Sequence, residues 1–145
     1  MNARLREQSN GISNIISLPY QSLDQIRYSL SAADLHIVSL GNEMSGIVHP
    51  CKIYGVLSIG RPLLTLGPKE SYLSDIIGDN EVGWSIRHGD LYGVVAALQT
   101  AAAQTEKEHE PICLRAQKIA AEKFSREQLV KKFLGTILYK PRLTQ

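Results

Sequence analysis

The sequence predicts an α/β fold, a parallel sheet with helices on both faces. Three observations lead there. Short apolar runs rich in β-branched residues, NIISL, DLHIVSL and RPLLTLG, alternate with segments whose apolar residues recur at helical spacing. The connections between them are short, as in βαβ units. The composition, 43% hydrophobic and 21% charged, is that of a packed domain and not of a disordered chain. A chain of 145 residues has the length of one domain. Within it the α/β core is expected over 13–124, a C-terminal helix over 125–139 and a tail over 140–145.

NIISL (Asn14 to Leu18), ended by Pro19, reads as a buried strand. A helix follows, capped by Ser22, with Leu23, Ile26, Leu30 and Ala33 on one face. DLHIVSL (Asp34 to Leu40) is the second strand, and GNEMSG a polar loop. Pro50 suits the first position of the next helix, where its missing N–H would be unpaired anyway. Gly60 suits the C′ position that ends it, with Pro62 just beyond. RPLLTLG is the third strand, SYLSDIIGDN a helix, and GWSIRHGD a strand running into a turn in which Asp90 caps the next helix. LYGVVAALQTAAAQT, PICLRAQKIAAEKF and SREQLVKKFLGTILY complete the chain as helices, with Ser125 and Gln128 spaced as a capping box.

A net charge of +2, from 16 basic and 14 acidic residues, is too balanced for nucleic acid to be the main partner. The two cysteines, Cys51 and Cys113, are too few for a disulfide framework or a zinc site. Reduced thiols and a cytoplasmic location are expected. The first residues lack the apolar core of a signal peptide, and no stretch reaches the length of a transmembrane span.

In open parallel sheets, ligands bind beyond the carboxyl ends of the strands. Two loops are expected there, LPYQSL after the first strand and, after the second, GNEMSGIVHPCK, which leads into a helix. A lysine, Lys52, stands near the start of its helix, where a cation opposes the helix dipole by a few tenths to about 1 kcal/mol. Lys52 is therefore either a solvated surface lysine or a partner for an anion held in a concavity formed by Gly41, Gly46 and the backbone amides around Pro50 to Lys52. Gly55, inside the helix, costs about 1 kcal/mol against alanine. It makes room either for another part of the chain or for a ligand. His49 is either a sugar or phosphate contact or an exposed loop residue. Glu43 is the loop's one carboxylate. His36 reads as a core or edge histidine, His88 as part of a turn, and Trp84 as packing. No nucleophile-plus-base pair, Walker loop or metal cluster is legible.

Ile15 through Phe133 resembles the C-terminal half of a retaining GT-B glycosyltransferase. It is most similar to the family 4 branch that includes bacterial enzymes of colanic-acid-type polysaccharide synthesis. The marks are Leu18-Pro19-Tyr20, Ala32-Ala33-Asp34, Pro50-Cys51-Lys52 in place of Pro-Ser-Lys, Gly60-Arg61-Pro62, and the tail GDNEVGWSIRHGDLYGVVAALQ. The resemblance implies a Rossmann-like domain that holds a UDP- or GDP-linked sugar donor without metal or other cofactor. Pro19 and Tyr20 would line the base pocket. The loop with Glu43, Ser45, Gly46, Ile47, His49, Pro50, Cys51 and Lys52, together with Gly55, would hold the diphosphate and sugar. Lys52 would stabilise the leaving diphosphate. The acceptor would be a saccharide or a lipid-linked chain in surface polysaccharide synthesis, with peripheral membrane contact in the full enzyme.

Two departures from that pattern stand out. Ile47 and Gly55 occupy the places of a glutamate pair, the second of which grips the ribose in many relatives. The acceptor domain and the first strands of the donor domain are also missing. The NIISL strand would be third and DLHIVSL fourth in the order 3-2-1-4-5-6. A fragment or split product is therefore expected, completed by a separate N-terminal chain or by self-association. The rival expectation is a non-catalytic α/β module.

Overall fold

The computed structural model describes residues 7–138. From Ile26 onward the elements are α1 (Ile26–Ser31), β1 (His36–Ser39), a 3-10 turn (Asn42–Met44), α2 (Lys52–Ser58), β2 (Leu63–Leu66), α3 (Tyr72–Asn80), β3 (Gly83–Ile86), α4 (Leu91–Ala103), α5 (Glu106–Lys123) and α6 (Arg126–Leu138). The fold is α/β, with a three-stranded parallel sheet in the order β1-β2-β3.

Register sets the faces. His36, Val38 and Leu40 lie on the same side as Leu63 and Thr65, while Ile37 pairs with Leu64, and Leu64 with Trp84, on the other. Val38, Leu40 and Leu63 join Ile53, Val56 and Leu57 of α2, Leu73, Ile76 and Ile77 of α3, and Ala116, Ile119 and Ala120 of α5 in one buried cluster. Burying a side chain such as Leu57 or Leu63 contributes about 1.5–3 kcal/mol. On the opposite face Leu64 is buried and Trp84 half-buried, but Ile37 is 56% exposed. The sheet is therefore well covered on one face and open over β1 on the other.

Each helix end has a local cause. Gly60, at φ +70°, ends α2 in a Schellman turn, its N–H donating to the Leu57 carbonyl and the Arg61 N–H to that of Val56. Arg61 then donates to the Ser31 carbonyl at 2.9 Å and pairs with Asp34 at 3.7 Å, so the Gly-Arg-Pro and Ala-Ala-Asp motifs meet. Ser71 and Ser74 cap α3 reciprocally. Asp90 caps α4 by accepting from the Gly93 N–H at 2.8 Å, as its place in the sequence predicts.

The structure corrects four boundaries or assignments. NIISL is not a strand, and Ile15, Ile16 and Leu18 are 49%, 80% and 69% exposed. A strand needs a neighbour for its N–H and C=O groups, and this segment has none in the three-stranded sheet. The first helix begins at Ile26 behind Gln25 and not at Ser22. Pro50 lies just outside α2, whose N-cap is Cys51 and whose first residue is Lys52.

In the fourth, the alanine-rich helix stops at Ala103, and Glu106 starts α5, which runs through Pro111. The Glu108 carboxylate accepts from the Thr105 N–H at 2.9 Å and fixes that start, and this bond holds its carboxyl below the ordinary value. An interior proline costs about 3 kcal/mol. Burial of Ala116, Ile119 and Ala120 beyond it offsets that cost. Residue 139 of the expected last helix and the tail 140–145 lie outside the described residues.

Candidate functional site

The carboxyl end of β1 opens into two adjoining cavities. The larger, of about 650 Å³, is lined by Ile37, Leu40, Gly41, His49, Pro50, Cys51 and Lys52, among others. The smaller, of about 160 Å³, is lined by Leu40, Ser45, Gly46, Ile47, His49, Pro50 and Tyr72, among others. Val48, His49 and Pro50 wall both cavities. The loop reaches this position by a 3-10 turn, a left-handed Gly46 at φ +78°, and Met44, whose carbonyl accepts the N–H groups of Ile47 and Val48. The bond from His88 Nε2 to the Leu40 carbonyl fixes the floor from the far side of the sheet.

Seven of the predicted site residues therefore come together: Ser45, Gly46, Ile47, His49, Pro50, Cys51 and Lys52. Four do not. Glu43 lies on the 3-10 turn, exposed and outside both linings. Pro19 and Tyr20 belong to the exposed N-terminal segment, with Tyr20 96% exposed. Gly55 faces α1, where an added Cβ would stand 3.4 Å from Leu30 Cδ1.

Behind the loop lies an arrangement that the sequence did not disclose. Tyr54, on α2, hydrogen-bonds His49 Nε2, and its hydroxyl is 2.9 Å from that of Tyr72 at the start of α3. His49 packs edge-on to Tyr72, with ring centres 4.2 Å apart, and Tyr54 packs against Phe124 at 5.0 Å. Burial pushes the Tyr54 phenol well above its ordinary range, so Tyr54 keeps its proton. The spacing of Tyr54 from His49 gave no signal, because one residue is in a loop and the other on a helix. Tyr72 enters only through the tertiary fold.

A second pair was also missed, and here a signal existed. His109 and Cys113 are four apart on α5, and Sγ lies 3.4 Å from Nδ1. His109 Nε2 is 3.3 Å from the Asp34 carbonyl. A carbonyl needs a donor, so that contact puts the ring proton on Nε2 and leaves Nδ1 to accept from the thiol. Burial raises the Cys113 thiol above its ordinary value, so it stands as a donor and not as a thiolate. This pair sits at the amino end of β1, opposite the two cavities. His36 is structural, its Nε2 2.9 Å from the Leu30 carbonyl.

Among the described residues no group of three or more His, Cys, Asp or Glu side chains could hold a metal. No described helix is long and apolar enough to cross a membrane. Set against family models, curated proteins and solved structures, the chain matches none of them.

Proposed function

We propose that the chain is the donor-binding portion of a nucleotide-sugar glycosyltransferase. In this reading a UDP- or GDP-linked sugar is held at the carboxyl end of β1, for transfer to a saccharide or lipid-linked acceptor in surface polysaccharide synthesis. The carrying observation is that His49, Pro50, Cys51 and Lys52 line one cavity beyond β1. They belong to the loop that the sequence resemblance assigns to the diphosphate. Lys52 supplies positive charge as the diphosphate leaves, and loop amides near Gly46 and Ile47 orient the donor. The strand order lends support, because three adjacent parallel strands in chain order fit positions 4-5-6 of the doubly wound order. The open edge of β1 is then where an earlier strand of a whole donor domain would pair. Glu43, Gly55, Pro19 and Tyr20 do not join this site, so the base and ribose pockets would need parts of the enzyme beyond these cavities.

Calorimetry with UDP, GDP and their sugars tests the reading. Detectable binding of a nucleoside diphosphate is expected, and its absence at millimolar ligand defeats the reading. A second reading, a non-catalytic module that binds a partner chain, draws on the exposed apolar side of α6, where Leu129, Phe133 and Ile137 are 47%, 65% and 59% exposed. Under it no nucleotide binds.

A further inference from the structure

The loop, α2 and α3 each bring one polar ring to the same point: His49, Tyr54 and Tyr72. We propose that Tyr72 and Tyr54 form a directed hydroxyl relay that donates to His49 Nε2 and holds the imidazole with its proton on Nδ1, making His49 a positioned donor to phosphate oxygens in the cavities. The ligand in that statement rests on the donor-site reading above, while the relay stands on geometry alone.

The direction follows from acid–base chemistry. A phenol is a stronger hydrogen-bond donor than a neutral imidazole N–H, and an imidazole nitrogen is a stronger acceptor than a phenol oxygen. The Tyr54 hydroxyl therefore donates to Nε2, and its oxygen is free to accept from Tyr72 at 2.9 Å. Hydrogen bonds aligned in one direction polarise and strengthen one another. Which ring nitrogen of a histidine carries the proton is set by the bond the other nitrogen makes. With Nε2 accepting, the proton sits on Nδ1, which has no hydrogen-bond partner among the described residues. His49 walls both cavities, and Lys52 lines the larger. Tyr54 touches no ligand in this arrangement and acts only through His49. It is a positioning residue, held by its packing against Phe124.

Ring nitrogen shifts of the full-length chain labelled with 15N-histidine test the relay without any ligand. The chain has 4 histidines, and the spectrum of His49→Gln assigns the signal. The parent chain should show the Nδ1–H tautomer at His49. Tyr54→Phe, which keeps the ring against Phe124, should move it toward the Nε2–H form that free imidazole side chains prefer. An Nε2–H signature in the parent, or an unchanged tautomer in Tyr54→Phe, overturns the relay. Should Tyr54→Phe fail to fold, Tyr72→Phe decides, because loss of the first donor should still weaken the Nδ1–H signature.

Inorganic pyrophosphate then probes the ligand role. Tyr54→Phe should weaken its binding about 3- to 10-fold, the range of one neutral hydrogen bond, and His49→Gln at least as much. Equal affinities overturn that role. If the parent chain shows the expected tautomer but binds no pyrophosphate, the donor-site reading fails and the relay stands.

Discussion

His88 Nε2 lies 2.8 Å from the carbonyl oxygen of Leu40 and ties the turn after β3 to the carboxyl end of β1 across the intervening strand. Leu40 is buried and lines both cavities. His88→Ala removes the donor and leaves that carbonyl without it. We expect a loss of about 0.5–1.5 kcal/mol in chemical denaturation, the range of one net hydrogen bond. A midpoint and slope equal to those of the parent would show that the bond contributes nothing.

Gly83 opens β3 with φ +149°, and a Cβ there would overlap the carbonyl oxygen of Leu63 on the neighbouring strand. The obstacle is backbone, so no side-chain rearrangement relieves it. Gly83→Ala should cost about 3 kcal/mol or more, read as a large fall in Tm or as loss of soluble protein. A near-parental Tm would mean that β2 and β3 do not approach as described.

Gly55→Ala should do the opposite. The added methyl meets only the tip of Leu30 at ordinary contact distance, and Gly55 lines neither cavity. Stability should rise by about 0.5–1 kcal/mol from helix propensity, with nucleotide affinity unchanged. A drop in affinity at parental stability would return Gly55 to the ligand site.

Lys52→Ala tests the proposed electrostatic role. Binding of UDP or GDP should weaken by about 1–3 kcal/mol, the range of a charge-assisted hydrogen bond, and the difference should shrink as salt is raised. Equal affinities by calorimetry would remove Lys52 from the diphosphate.

Self-association is the last expectation. β1 is an edge strand that carries Ile37, 56% exposed, and such an edge is a template for another chain. Light scattering should show mass rising with concentration. A monomer at high concentration, with His36 to Ser39 strongly protected from hydrogen exchange, would contradict it.

Much of the fold was legible because its causes are local. Alternating apolar runs and helical spacing located β1 to β3 and most of the helices. Gly60 and Asp90 took the capping places that their residue types predict, since a left-handed turn and an orphan N–H are satisfied within a few residues. That Ser45 to Lys52 gather beyond the carboxyl end of β1 was legible for a similar reason, because they form one contiguous loop after that strand.

What the sequence left undecided depended on partners distant in the chain. NIISL carries the composition of a strand, but composition cannot supply a neighbour, and without one the segment stays exposed coil. Gly55 could have served a ligand or another helix, and only the position of Leu30 chose the helix. The His49, Tyr54 and Tyr72 relay joins residues up to 23 positions apart by number, with side chains that meet only in the folded chain. Propensity and pattern act along the chain. Pairing, close approach and hydrogen bonds between rings act across it, and those were decided by the tertiary structure alone.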